Sequence, residues 1–499
     1  MRVKTAAVLL LGVLAFASPQ TSLGFEFKLT DKIDMSVKAD LTYALRVRAE
    51  YIDWELFLRE PSSGDSNFDK GDLTNNLVIA KYEVQAFYSN FSLFVRGNAF
   101  YDNVFNDEKF NSEQKEHAMY NFSDSLEYFI EGRFSRFSFR VGRQVVNWGE
   151  SVAPIYAVAV NTVSPFFGQR VAAAGYTSRD FQVPSLMVWA NYELTPTVSL
   201  EGVWNPEFEP RYTLPVVGTF QSFTDALGWG QDGSIDDQRP TGFEDQQQGG
   251  MAIRKTFPTL KYFELGFYYY HHLIRFPGLS FDLLKDERPI ATYPGVDMFG
   301  ISFAQAIDSL GLQIQGELAY RPNDVLQKVI TEEDLPPGTP PGVKDQLVDQ
   351  AIGGFEQGNT LNWVFGGSRL FSDVLDFTPW TFSLYNLFEF YGQWIIDYEE
   401  YKNFQKAQNQ GYYYGLLSLT TADMIDNTTL TLGFSATGNL HESQRSLQRF
   451  SYTLSGKYGD RFEALVGFDM PIGKADQNMG PNNMSDRDVF TFTLTWYFL

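Results

Sequence analysis

The chain has 499 residues, a formal charge of -22 at pH 7 and no cysteine; 16% of it is aromatic, including 45 Phe and 27 Tyr, and 20% is charged. The missing thiols exclude a disulfide framework, thiolate chemistry and a lipid-attachment cysteine. The acidic balance excludes nucleic acid as a partner, because such partners are met by basic surface.

The N-terminus carries Arg2 and Lys4, then the apolar run Ala6 to Ala17, then small and polar residues up to Gly24. This is the order of a secretory signal peptide over 1–24, with a mature start near Phe25 and a cut after Ala17 as the alternative. The run is too short for a spanning helix, which needs about 20 apolar residues.

In the first mature segment, Met35, Val37, Ala39, Leu41, Tyr43, Leu45 and Val47 alternate with Ser36, Lys38, Asp40, Thr42, Ala44, Arg46 and Arg48. A period of two is a β-strand with one apolar and one polar face. Strands are predicted at 33–50, 76–89, 91–104, 125–134, 136–145, 184–194, 197–206, 247–257 and 261–272, then at 295–306, 310–321, 359–373, 380–397, 410–421, 427–440, 447–458, 460–471 and 486–499. Their connections alternate between short turns and long loops, the rhythm of a transmembrane β-barrel. The fold class expected is therefore all-β: an antiparallel barrel of 18 strands, with 16 as the alternative, both termini at the periplasmic end. The Pro/Gly-rich stretch Glu332 to Gly342 reads as a loop and not a linker, leaving 25–499 as one barrel.

The faces agree along the chain. Phe137, Phe139 and Val141 oppose Ser138, Arg140 and Gln144; Phe263, Leu265, Phe267 and Tyr269 oppose Glu264, Gly266 and Tyr268; Leu312, Ile314, Leu318 and Tyr320 oppose Gln313, Gln315, Glu317 and Arg321. Arg or Lys at mid-depth in hydrocarbon costs about 2–4 kcal/mol, so the polar rows must line a lumen. The last segment sets Phe490, Phe492, Leu494, Trp496 and Phe498 against Thr491, Thr493, Thr495 and Tyr497. It resembles the C-terminal strand that the barrel-assembly machinery recognises.

Several longer pieces then carry a resemblance: "VGRQVVNWGES" (Val141 to Ser151), "LTPTVSLEGVWNPEFEPRYTLPVVGTFQSFTDALGWG" (Leu194 to Gly230), "FELGFYYYHHLIRFPG" (Phe263 to Gly278), "IQGELAYRPNDVLQ" (Ile314 to Gln327) and the C-terminal "FTLTWYFL". In these the chain resembles a family of proteobacterial outer-membrane proteins catalogued as a domain of unknown function. The resemblance implies a barrel in the cell outer membrane. It also implies a setting near RND-type exporters similar to MmpL lipid transporters, and hence traffic in hydrophobic or amphipathic molecules.

The segment 146–183 is unusually apolar for a water-facing loop. It is expected to fold into the lumen as a constriction, with Arg140, Arg143, Gln144, Asn147, Trp148 and Glu150 lining the path. An aromatic ring beside Arg and Glu can hold an amphipathic solute by its face and its charge. The alternative is a latch in which Arg143 and Glu150 pin the loop to neighbouring strands. Glu264, Glu317 and Arg321, pointing inward, would set charge selectivity or else form a salt-bridge network across the wall. The oxygens of Asp232 to Gln238 approach the spacing of a calcium loop but lack its full pattern, so solvated surface is the reading there. His117, His271, His272 and His441 fall in no HExxH arrangement, and no Gly-x-Ser-x-Gly or phosphate-binding glycine loop occurs. No enzyme, cofactor or metal is expected. The function expected is a channel for small hydrophobic or amphipathic solutes, with outer-membrane lipid, lipopolysaccharide, the assembly machinery and an RND-type exporter as partners. A surface-binding barrel with a plugged lumen and a soluble secreted β-protein are the alternatives.

Overall fold

The computed structural model describes residues 25–498 apart from 55–62, 122–125, 152–159, 161–162, 165–169, 171–173, 177, 209–214, 221, 223–235, 276, 281–289, 330–334, 336, 342–351, 373, 375–380, 397–409, 424–427, 440–447 and 473–484. Eighteen antiparallel strands close into one ring. They are β1 Ile33–Arg48, β2 Leu73–Tyr88, β3 Phe91–Asp102, β4 Glu127–Phe134, β5 Phe137–Gln144, β6 Ser185–Thr195, β7 Val198–Asn205, β8 Gln248–Phe257 and β9 Phe263–Leu273. The ring continues through β10 Gly295–Ile307, β11 Leu312–Val329, β12 Ile352–Phe371, β13 Thr381–Ile395, β14 Gln410–Asp423, β15 Thr428–Asn439, β16 Gln448–Tyr458, β17 Phe462–Ile472 and β18 Val489–Tyr497. Each strand pairs with the next, and β18 returns to β1 through nine positions from Asp40↔Tyr497 to Arg48↔Val489. Closure leaves no free edge in the wall.

The alternation read from the sequence is the pleat of this wall. Leu41, Ile130, Val141, Phe267, Leu318, Leu432, Val466, Phe490 and Trp496 are exposed on the outside, while Thr42, Arg46, Arg48, Gln315, Glu317 and Glu389 are buried within. The short turns lie at one end, where Ser89 and Ser135 take positive φ of 52° and 46° to reverse the chain within two residues. Among the described residues no helix is long and apolar enough to cross a membrane.

Two differences from the sequence reading have physical causes. β11 and β12 run to Val329 and from Ile352, well past the expected limits of 321 and 359. Pro322 follows the expected limit; a register shift between Arg321 and Asp324 absorbs it, and the ladder resumes at Asp324↔Gly358. An unexpected strand, Phe25–Thr30, folds back on β1 from Phe25↔Val37 to Thr30↔Ile33, on the same edge of β1 that β18 occupies from Asp40 upward.

At the long-loop end, three loops and the first residue of β18 share a small core of Phe68, Phe105, Phe110, Ala118, Val216, Phe220 and Val489. Arg487 holds it with a two-pronged pair to Asp65, at 2.9 and 2.7 Å, and Arg48 reaches Asp486 at 2.9 Å.

Candidate functional site

The segment inserted between β5 and β6 starts from a buried anchor. Gln144 Nε2 donates to the Met187 carbonyl at 3.0 Å and to the Arg140 carbonyl at 3.3 Å. A reciprocal amide pair closes the neck: Asn147 Nδ2 donates to Gln182 Oε1 at 3.0 Å, and Gln182 Nε2 donates back to Asn147 Oδ1. Ser164 Oγ accepts from Val146 N at 3.0 Å and donates to Val146 O at 3.1 Å.

Trp148 then drives into the lumen. It is 1% exposed and packs with Val146, Val160, Val163, Met187, Tyr268 and Tyr270 in a cluster that reaches Tyr391 on β13. Its Nε1 donates to Glu201 Oε1 at 2.6 Å, an oxygen that also accepts from Trp189 Nε1 at 2.6 Å. A buried indole N–H requires an acceptor, and Glu201 serves two.

Beyond Trp148 the backbone crosses Glu317 on β11. Glu317 Oε1 accepts from the Glu150 amide and from the Ser151 amide at 2.6 Å, and Oε2 accepts from the Val160 amide at 2.9 Å. One buried carboxylate thus satisfies three amides of the insertion, and charged hydrogen bonds are each worth roughly 1.5–3 kcal/mol. Gly149 makes the approach possible. Its φ is +86°, and a Cβ there would lie 2.3 Å from Glu317 Oε1. Ser302 Oγ donates to the Glu150 carboxylate at 3.4 Å. Burial holds that carboxyl above its ordinary pKa, with Arg254 opposing and Glu264 adding to the rise.

The far side of the insertion docks on the opposite wall. Ala174 packs with Ala44, Leu77 and Ile79, joined by Tyr176 and Phe100. Asp180, buried, accepts from Lys81 Nζ at 2.8 Å and from an Arg96 guanidinium nitrogen at 2.5 Å, while Lys81 also donates to the Gly175 carbonyl at 3.0 Å. The described parts of 146–183 therefore reach from β11 across to β1, β2 and β3. Below them, toward the short turns, a cavity of about 310 Å³ is lined by Glu150, Arg254, Glu264 and Tyr268 among others.

The structure thus brings Gln144, Asn147, Trp148, Glu150 and Glu317 together at this crossing. Arg140 faces inward from β5, its guanidinium 4.2 Å from the Trp189 ring and 5.5 Å from that of Phe129. Glu264 belongs to the lower cavity, and Arg321 stands above the crossing, 4.0 Å from Asp324. Arg143 lies apart from the path it was expected to line. Register sets it between Tyr128 and Leu186, which are 42% and 43% exposed on the outer face. There it pairs with Glu207 at 2.6 Å and donates to the Pro184 carbonyl at 2.8 Å. The phase of Phe137, Phe139 and Val141 continues unbroken to Arg143 and turns it outward. Of the expected latch, the Glu150 half is made by its backbone and by Ser302, and Arg143 ties down the exit of the insertion at Pro184 from the outer face of the wall.

Sequence reasoning passed over Glu201, Ser302, Glu389 and Asp180. Alternation gives Glu201, Ser302 and Glu389 an inward direction, but no local pattern marks which inward group receives the insertion. Of the acidic loop, Asp236–Asp237 pairs in parallel with Ile290 and Ala291, and Asp237 is taken by Arg239; residues 232–235 and His441 lie outside the described residues.

A family model described as a protein of unknown function, DUF1302, matches residues 5–498. No curated protein matches the chain. Among solved structures, Acinetobacter baumannii OccAB1 is similar at a TM-score of 0.44 and 10% identity, with 96% of this chain and 99% of that one covered. Pseudomonas aeruginosa OccD3 (OpdP) is similar at a TM-score of 0.42 and 9% identity, with 96% and 95% covered.

Proposed function

We propose that this chain, which belongs to the DUF1302 family, is an outer-membrane conduit whose passage is controlled by the segment 146–183. The observation that carries the reading is the three-amide grip of Glu317 on that segment inside a ring with an apolar exterior. An apolar outside and a polar inside suit a wall between hydrocarbon and water. A segment tied across the lumen by a few hydrogen bonds can move without unfolding the wall, and such a two-position element is what gating needs.

Residues 1–24 serve as the export signal in this account. The solute is small and hydrophobic or amphipathic, because the crossing combines Trp148, Tyr268 and Tyr270 with Glu150 and Arg254. An RND-type exporter would supply energy that a passive barrel lacks. Outer-membrane lipid and lipopolysaccharide surround the wall, and the assembly machinery inserts it through β18.

Planar-bilayer conductance of the full chain, alone and as Glu317→Gln, tests this. Low conductance that rises severalfold in the variant supports a gated conduit. A second reading, a surface-binding barrel permanently plugged, is favoured by the dry cluster around Trp148. It predicts no conductance in either protein.

A further inference from the structure

The tip of the inserted segment, Gly149 to Ser151, comes to rest among carboxylates. Glu317 on β11 takes the amides of Glu150 and Ser151, and Glu389 on β13 accepts from Ser151 Oγ at 3.4 Å. These two wall residues are 5% and 2% exposed. Both are met by further donors, Glu317 by the Val160 amide and Glu389 by Gln315 Nε2 at 3.3 Å. Buried carboxylates are ordinarily matched in this way.

The tip brings one carboxylate of its own, and that one is served differently. The Glu150 side chain lines the cavity beneath the crossing together with Glu264, Arg254 and Tyr268. Among the described residues, Ser302 Oγ is the donor that reaches it, at 3.4 Å, and no cation stands within ion-pair distance. Arg254, on the inner side of the cavity, is already engaged by Glu201 at 3.9 Å and by Tyr268. Lys255, one residue on, shares the outward phase of Ile253.

Docking the tip therefore carries the Glu150 carboxylate out of water and sets it near two like charges, Glu264 and Glu317. Burial is the first cost; Arg254 offsets part of it, Glu264 adds to it, and the long bond from Ser302 returns little. Release of the tip gives the carboxylate back to water. The rest of the grip, through Glu317 and Glu389, uses the backbone and Ser151 and needs no charge on Glu150.

We propose that Glu150 is a proton sensor for the segment 146–183: a proton on it seats the segment across the lumen, and loss of that proton loosens the seat. The sign follows from linkage. A carboxyl whose docked value lies above its ordinary 4.5 favours docking fully below that ordinary value, and the favour is lost as the pH rises through the docked value. The proposal deepens the conduit reading by naming what operates the segment. It rests on that reading for the consequence that acid narrows the passage, though the docking equilibrium itself is measurable in a barrel that passes nothing.

The test is hydrogen exchange on the full-length protein in non-ionic detergent at pH 4.5 and pH 8, comparing the parent with Glu150→Gln, which keeps the shape and the acceptor for Ser302. Glu317 and Glu389 are the same in both proteins, so a comparison at one pH isolates Glu150. After correction for intrinsic rates, the amides of Ser151 and Val160 should be protected nearly equally at pH 4.5 and severalfold better in Glu150→Gln at pH 8. Glu264→Gln should act in the same direction by a smaller factor, and it decides if Glu150→Gln fails to show the heat-modifiable mobility of a folded barrel. A ratio of parent to variant that is the same at both pH values, or a parent better protected than the variant at pH 8, would overturn the assignment. Conductance on the same preparations tests the conduit reading separately: the parent should pass less current at pH 4.5 than at pH 8, with Glu150→Gln low at both, whereas no current in either protein at either pH counts against the conduit and leaves the exchange result standing.

Discussion

Gly149 and Glu317 are in such close contact that a single methyl group on the first would stand 2.3 Å from a carboxylate oxygen of the second. The pair couples an inserted segment to the barrel wall with no side chain on one partner. It acts beside two further moorings, Trp148 on Glu201 and Asp180 on Lys81 and Arg96.

Gly149→Ala should therefore lift the insertion from Glu317. The added Cβ meets both a positive φ and an occupied space, a combined cost of about 1–3 kcal/mol by the usual range for such strain. Hydrogen exchange should show faster exchange at the amides of Glu150, Ser151 and Val160, while the barrel keeps its heat-modifiable mobility. Unchanged protection of those three amides would count against the role given to Glu317.

Glu317→Gln keeps the shape but turns half of the acceptor into a donor facing backbone N–H groups. The loss should be about 2–4 kcal/mol of docking free energy, from charged hydrogen bonds lost and a donor left unmatched. Limited proteolysis within 146–183 should speed up accordingly. Ser302→Ala, which removes only the 3.4 Å bond to Glu150, should change the rate far less.

How much of this was legible in the sequence follows from what repeats. The inward direction of Glu317, Arg140 and Gln144 was readable because alternation is a property of each strand alone. The same logic, carried one residue further, would have turned Arg143 outward. Its place in "GRQVVNWGES" instead grouped it with the residues entering the lumen. The partnership of Glu317 with the amides of Glu150 and Val160 was not readable, because the two are more than 150 residues apart. A carboxylate that binds backbone leaves no complementary charge to search for. The extension of β11 past Pro322 was hidden for a similar reason, since a bulge is a matter of register between strands and not of composition.

Arg487→Ala should open the cap formed by the long loops. It removes a buried two-pronged pair but leaves Asp65 beside Arg48 at 3.5 Å, so the cost should fall near the low end of the range for a broken buried pair, about 3 kcal/mol. Its two bonds to the carbonyls of Phe220 and Ser222, at 2.5 and 2.7 Å, are lost as well. Protease should then cut the loops between β1 and β2 and between β7 and β8, with the wall intact.

The base of that cap should also respond to pH. Burial, then the neighbouring carboxylates Glu50, Asp469 and Asp486, lift Asp488 from 3.8 to about 6. A carboxyl with a raised folded-state value is penalised when charged. Its contribution is therefore most favourable below about pH 4 and is lost as the pH rises through 6. Hydrogen exchange at Ala49, whose amide bonds the Asp488 carbonyl at 2.8 Å, should show greater protection at pH 5 than at pH 7.5 once intrinsic rates are corrected. Asp488→Asn should abolish the difference.

The strands are of unequal length, and this bears on the lipid as much as on the lumen. β4, β5 and β7 have eight residues each, whereas β12 has 20. At about 3.3 Å per residue and a tilt near 40°, eight residues rise only about 20 Å, short of the roughly 25 Å apolar band that such barrels present. On the side from which the insertion departs, where β6 has 11 residues between the short β5 and β7, a bilayer around the proposed conduit would be drawn in at the shorter strands. Strand length would thus set the apolar wall at its shortest close to where the insertion leaves β5 for the lumen.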